Sequence, residues 1–96
     1  MSNTNTEHLR TVEAARSGDR EAFEALYNQY RDRLFFFAKK YTGSRESAED
    51  IVSETFITAM EKLPELRDSE SFGGWLYSIA YRKCLDSISA NSRSQP

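Results

Sequence analysis

The stretch SAEDIVSETFITAMEKLP, residues 47–64, decides the fold. Ala48, Ile51, Val52, Thr55, Phe56, Ala59, Met60 and Leu63 recur at steps of three and four, the spacing of one helix face. Ser47 followed three positions on by Asp50 resembles a capping box with the shorter acid, which predicts a start near Ser44 or Ser47, and Pro64 ends the run. Upstream, Phe23, Leu26, Tyr27, Tyr30, Leu34, Phe37, Ala38 and Tyr41 repeat the pattern between an acidic cap at Asp19 and a stop at Gly43. A shorter, weaker helix is expected from about Glu7 to Ser17, capped by Thr6 and stopped by Gly18, with Leu9, Val12 and Ala15 or Arg16 on one face. Downstream, the polar stretch Glu65 to Ser71 reads as a loop. A fourth helix then carries Phe72, Trp75, Leu76, Ile79, Ala80, Cys84, Leu85 and Ile88, its first turn weakened by Gly73 and Gly74. Ser89 to Pro96 reads as a disordered tail. The predicted fold class is all-α, a small bundle of three principal helices plus a short N-terminal one.

At 96 residues the chain has room for one core, and 39% hydrophobic residues can fill it. Its longest wholly apolar run, Leu34 to Ala38, is far too short to span a bilayer, and the polar N-terminus lacks a signal-peptide pattern. A single cysteine, Cys84, and a single histidine, His8, offer neither an internal disulfide nor a zinc cluster, so no metal or cofactor is expected and the cytoplasm is the expected compartment. The net charge of −2 argues against a strong sequence-independent grip on nucleic acid. Its distribution is uneven: residues 44–65 hold two cations against six carboxylates, whereas residues 66–96 hold four cations against three.

Catalytic groupings are missing. The acids fall on the polar sides of amphipathic helices, Cys84 has no histidine to activate it and fits the apolar stripe, and His8 has no second ligand beside it. No enzyme is expected. Two constellations remain. Asp50 and Glu54 share one helix face with Ser53 beside them, which spacing alone explains as an ordinary solvated face. Phe72, Trp75, Tyr77, Tyr81, Arg82 and Lys83 interleave rings with cations, a composition that can stack unpaired bases and follow phosphates. Phe72 and Trp75 also fit the core stripe, with Trp75 expected to pack near Phe56, while Tyr77 and Tyr81 lie off its centre.

The segments GDREAFEALYNQY (Gly18 to Tyr30), SAEDIVSETF (Ser47 to Phe56) and SFGGWLYSIAYRKCLD (Ser71 to Asp86) closely resemble, in order and spacing, region 2 of bacterial sigma factors of the extracytoplasmic-function (ECF) group. The resemblance covers about residues 10–90. It implies that the third helix docks on the clamp helices of the RNA polymerase β′ subunit through Asp50, Ser53, Glu54 and Met60. It also implies that the loop and fourth helix capture the unpaired non-template strand of the minus-ten promoter element through Arg67, Asp68, Ser69, Ser71, Tyr77, Tyr81, Arg82 and Lys83. Two of these positions depart from the family pattern: Ser53 stands where relatives usually have glutamine, and Arg82 where they often have asparagine. An anti-sigma factor is an implied further partner. The sequence expectation is therefore a region 2 domain over residues 1–90, with 91–96 as tail or linker start and no helix-turn-helix domain after it. A helical adaptor or inhibitor that binds polymerase or an anti-sigma protein without touching DNA is the alternative.

Overall fold

The computed structural model describes residues 4–94, which form four α-helices and two short 3-10 turns. Helix α1 spans Thr4–Arg16, α2 Arg20–Thr42, α3 Arg45–Lys62 and α4 Phe72–Ser94; the turns are Leu63–Glu65 and Ser69–Ser71. Thr6 therefore lies inside α1 and is not its cap.

The helix boundaries follow from local chemistry. Gly18 takes a φ of 101°, which a side chain would resist, and lets the chain reverse into α2. Asp19 caps α2, its Oδ1 accepting from the Ala22 amide at 3.1 Å. Gly43 ends α2 in the left-handed region, its amide donating to the Lys39 carbonyl at 2.7 Å. The α3 cap is Ser44, whose Oγ accepts from the Ser47 amide at 3.2 Å. Ser47 thus lies one turn inside the helix, and the expected Ser47–Asp50 box does not form its start.

Alanines at 38, 48, 59 and 80, on α2, α3 and α4, are fully buried in the core. Around them pack Val12, Leu26, Leu34, Leu76, Phe72 and Cys84, all at most 1% exposed. Burial raises the Cys84 thiol pKa, so this cysteine is a protonated core residue. Thr55 is also fully buried, and its hydroxyl has no hydrogen-bond partner among the described residues.

Helix α4 corrects the sequence reading at its far end. Through Ala90, its last buried residue is Cys84; Leu85 and Ile88, expected in the core, are 45% and 38% exposed. The helix nevertheless continues to Ser94, through most of the segment expected as a disordered tail, because no glycine or proline interrupts residues 75–94. Gln95 and Pro96, the end of that expected tail, lie outside the described residues.

Candidate nucleic-acid and protein interface

Helix α3 turns Ile51, Val52, Thr55 and Phe56 inward, and this leaves Asp50, Ser53 and Glu54 exposed together on its outer side. Met60, one of the expected contacts, is 61% exposed. Ile57 joins it at 60%, a residue the periodic reading passed over. Its signal was available, since a large apolar side chain off the core stripe has no buried partner to explain it. The outer face of α3 is thus a ridge of carboxylates with two aliphatic side chains along it. An exposed Arg45–Glu49 ion pair of 3.6 Å sits at its N-terminal end. Beside the ridge, a cleft of about 560 Å³ separates α2 from α3, with Phe35, Phe36, Val52 and Ser53 in its walls.

Between α3 and α4 the chain is anchored at every third residue. Leu63, Leu66, Ser69 and Phe72 are all buried, while Pro64, Glu65, Arg67, Asp68, Glu70 and Ser71 between them are exposed. The period of three is that of a 3-10 helix, whose turns bracket the segment. The expected polar loop is therefore a strap pinned to the core. Asp68 organises its second turn: Oδ1 accepts from the Glu70 amide at 3.0 Å and Oδ2 from the Ser71 hydroxyl at 3.2 Å. Ser69 is only 5% exposed, and its Oγ accepts from Arg16 Nη1 at 2.8 Å. The structure thus assigns Ser69 an inward, structural position and leaves Arg67 as the strap's outward cation.

Helix α4 divides the remaining expected residues between its two flanks. On the α2 side, Tyr77 meets Phe37 edge-on at 5.2 Å and Tyr81 meets Tyr41 at 5.4 Å, with Phe37 and Tyr41 themselves 5.1 Å apart. Four rings thus form one cluster, and Tyr41 and Tyr81 are 44% and 43% exposed. Phe37 and Tyr41 entered the sequence reading only as core positions, because no sequence pattern pairs rings 40 residues apart. Arg33 lies close enough to Tyr30 to oppose, by its charge, the rise that burial gives that phenol's pKa, with Tyr77 adding to the rise. On the α3 side, Lys83 and Asp86 line a cleft of about 330 Å³ with Asp50 and Glu54, and Arg82 lies with Lys62, Ser78 and Ile79 along the next one. Lys83 therefore faces the acidic ridge across that cleft, while Tyr77, six positions earlier, lies on the other flank.

Trp75 is half-buried and packs on Phe72 at 5.9 Å. The expected contact with Phe56 is taken by Phe23 and Tyr27, at 6.2 and 4.8 Å. Among the described residues, no group of three or more His, Cys, Asp or Glu could hold a metal ion, and no helix is long and apolar enough to cross a membrane.

Comparison with known proteins places this geometry. The family model for sigma-70 region 2 matches residues 26–94. ECF RNA polymerase sigma factor BldN of Streptomyces coelicolor is 34% identical over 79 residues, 81% of this chain and 30% of that protein. The ECF RNA polymerase sigma-E factor of Haemophilus influenzae is 32% identical over 85 residues, 88% of this chain and 44% of that one. The chain spans less than half the length of these curated relatives. Among solved structures, an engineered region 2 of sigmaE in complex with GTAAAA, determined by NMR, superposes with a TM-score of 0.79 at 30% identity, covering 90% of both chains.

Proposed function

The chain belongs to the sigma-70 region 2 family, and on that footing we propose that it is the polymerase-docking and promoter-melting domain of an ECF-type sigma factor. One arrangement supports this most: the acidic ridge on α3 runs beside the cation-bearing flank of α4, across the cleft that Lys83 shares with Asp50 and Glu54, while the other flank of α4 carries the half-exposed ring cluster of Tyr77 and Tyr81. The ridge suits a basic coiled coil such as the β′ clamp helices, with Asp50 and Glu54 meeting cations and Ile57 and Met60 supplying apolar contact.

The DNA step needs little charge. With a net charge of −2, the domain makes few phosphate contacts, and polymerase supplies most of the affinity. A base that leaves the minus-ten duplex gains about 1–3 kcal/mol by stacking on an exposed ring such as Tyr81. That offsets the few kcal/mol of unpairing, roughly one stacked base per opened pair. Arg67, Arg82 and Lys83 follow the backbone of the captured strand. Such a domain works in the cytoplasm, and an anti-sigma protein would act by covering the same ridge.

Two titrations test this. The chain is titrated with core polymerase, with and without Asp50→Lys and Glu54→Lys together. It is also titrated, with polymerase present, with labelled single strands carrying GTAAAA or a randomised hexamer. The charge reversal should weaken polymerase binding at least tenfold while moving Tm by only a few degrees, since exposed charges contribute roughly 0–1 kcal/mol to folding. Unchanged polymerase affinity removes α3 as the docking face. Polymerase binding without capture of either strand favours the DNA-independent adaptor.

A further inference from the structure

Of the four buried residues that pin the strap, three are apolar and one, Ser69, is polar. Apolar pins hold by burial alone, but a buried hydroxyl holds its place only when its hydrogen bond is made. Its partner comes from far away in sequence: Arg16, at the last turn of α1, donates across 53 residues at 2.8 Å. Bonds from a charged donor are shorter and stronger than neutral ones. Helix α1 is itself fixed to the bundle by buried Val12 and Ala15, and by the 2.8 Å hydrogen bond shared between His8 Nε2 and the Tyr30 hydroxyl. It lies outside the 26–94 segment that the family model matches.

We propose that Arg16 is a positioning residue for single-strand capture: through Ser69 it holds the strap in the shape that presents Arg67, Glu70 and Ser71 outward, so that α1 sets the domain's affinity for unpaired DNA. The proposal rests on the function proposed above. Between Leu66 and Phe72 the strap has no other inward anchor among the described residues, because the Asp68 carboxylate bonds only within the strap itself. Without the Arg16 bond, Ser69 gains more by turning to water than by staying buried, and residues 67–71 lose their common shape. Strand capture then has to order them first, which lowers affinity with no contact to DNA removed.

The test compares Arg16→Met, which keeps the aliphatic stem and removes the donors, with Arg16→Lys, Ser69→Ala and the Arg16→Met/Ser69→Ala pair. Anisotropy with the GTAAAA strand and the randomised hexamer, both with polymerase present, reads capture, and a separate titration reads polymerase affinity. Amide exchange of residues 67–71 reads strap order. Arg16→Met, which leaves the buried Ser69 hydroxyl unpaired, should weaken capture roughly threefold to tenfold and speed exchange in the strap, and Ser69→Ala, which leaves a small apolar pin, should do so less. Their combination should be no worse than the poorer single variant, since both remove one bond. Arg16→Lys should restore part of the loss, and polymerase affinity should stay at the parent value. Capture within twofold of the parent by both single variants, additive losses, or a parallel fall in polymerase affinity overturns the proposal. A parent chain that captures neither strand overturns the functional reading, and the positioning role falls with it; a capturing parent with indifferent variants overturns the positioning role alone.

Discussion

Gly73 and Gly74 open α4 side by side, yet alanine should act oppositely at the two. A Cβ at Gly74 meets nothing within 4 Å. Gly74→Ala therefore collects only the helix-propensity and unfolded-chain gain, about 0.5–1 kcal/mol. For a domain of this size that is a rise of roughly 3–6 °C in Tm. A Cβ at Gly73 lies 3.2 Å from the Tyr30 hydroxyl, closer than most real Cβ contacts. Tyr30 cannot yield freely: it is 7% exposed, wedged against Phe72 at 5.5 Å and hydrogen-bonded to His8 at 2.8 Å. Displacing it forfeits that bond, about 0.5–1.5 kcal/mol, and disturbs the packing, so the backbone gain is cancelled or exceeded. Gly73→Ala should leave Tm unchanged or lower it by up to about 5 °C. The control is Tyr30→Phe, which removes the obstructing oxygen; in that background Gly73→Ala should become stabilising, with a coupling of about 1 kcal/mol. Thermal melts of the five chains, followed by circular dichroism, measure all of this. If Gly73→Ala and Gly74→Ala raise Tm equally in the parent, Tyr30 is not held as described, and the α1–α2–α4 junction is looser than its contacts imply.

Further outcomes follow from the same packing. Thr55→Val replaces a buried, unpartnered hydroxyl with a methyl and should stabilise by about 1 kcal/mol, read as a higher Tm; a lower Tm would mean that the hydroxyl has a partner in solution. Phe72→Ala should cost about 3–5 kcal/mol in denaturant titration, and Trp75→Ala roughly half as much, because only Phe72 is fully buried. Equal losses would place Trp75 in the core. Replacing Arg82 and Lys83 by alanine should flatten the salt dependence of single-strand capture by about one to two units of slope, and an unchanged slope would move the phosphate path off α4.

Much of this molecule is legible in its sequence, for identifiable reasons. Apolar spacing of three and four, an aspartate before α2 and a left-handed glycine after it act within one or two turns of chain. Such local signals located the bounds of α2 and the core-facing side of α3, save Met60, which the stripe counted inward and which is 61% exposed. They also separated Asp50 and Glu54 from the core, since a helix face is fixed by spacing alone. Resemblance in the order of three segments carried the family expectation, and the family match bears it out.

What escaped the sequence involves partners distant in the chain or opposing local effects. Residues 65–71 look like a polar loop because two of every three residues face water, and nothing local shows that the third is pinned. The pin at Ser69 depends on Arg16, and the ring cluster on Phe37 and Tyr41 meeting Tyr77 and Tyr81. Trp75 matched the core period, but the place beside Phe56 had already been filled by Phe23 and Tyr27 from α2. The sequence by itself determined where the helices run and which face of each is apolar, because a side chain's direction along a helix depends only on its own few neighbours. Only the tertiary structure decided which apolar positions find a partner, which polar ones are drawn inward, and which rings remain exposed, because those outcomes depend on competition among surfaces that meet only when the four helices pack.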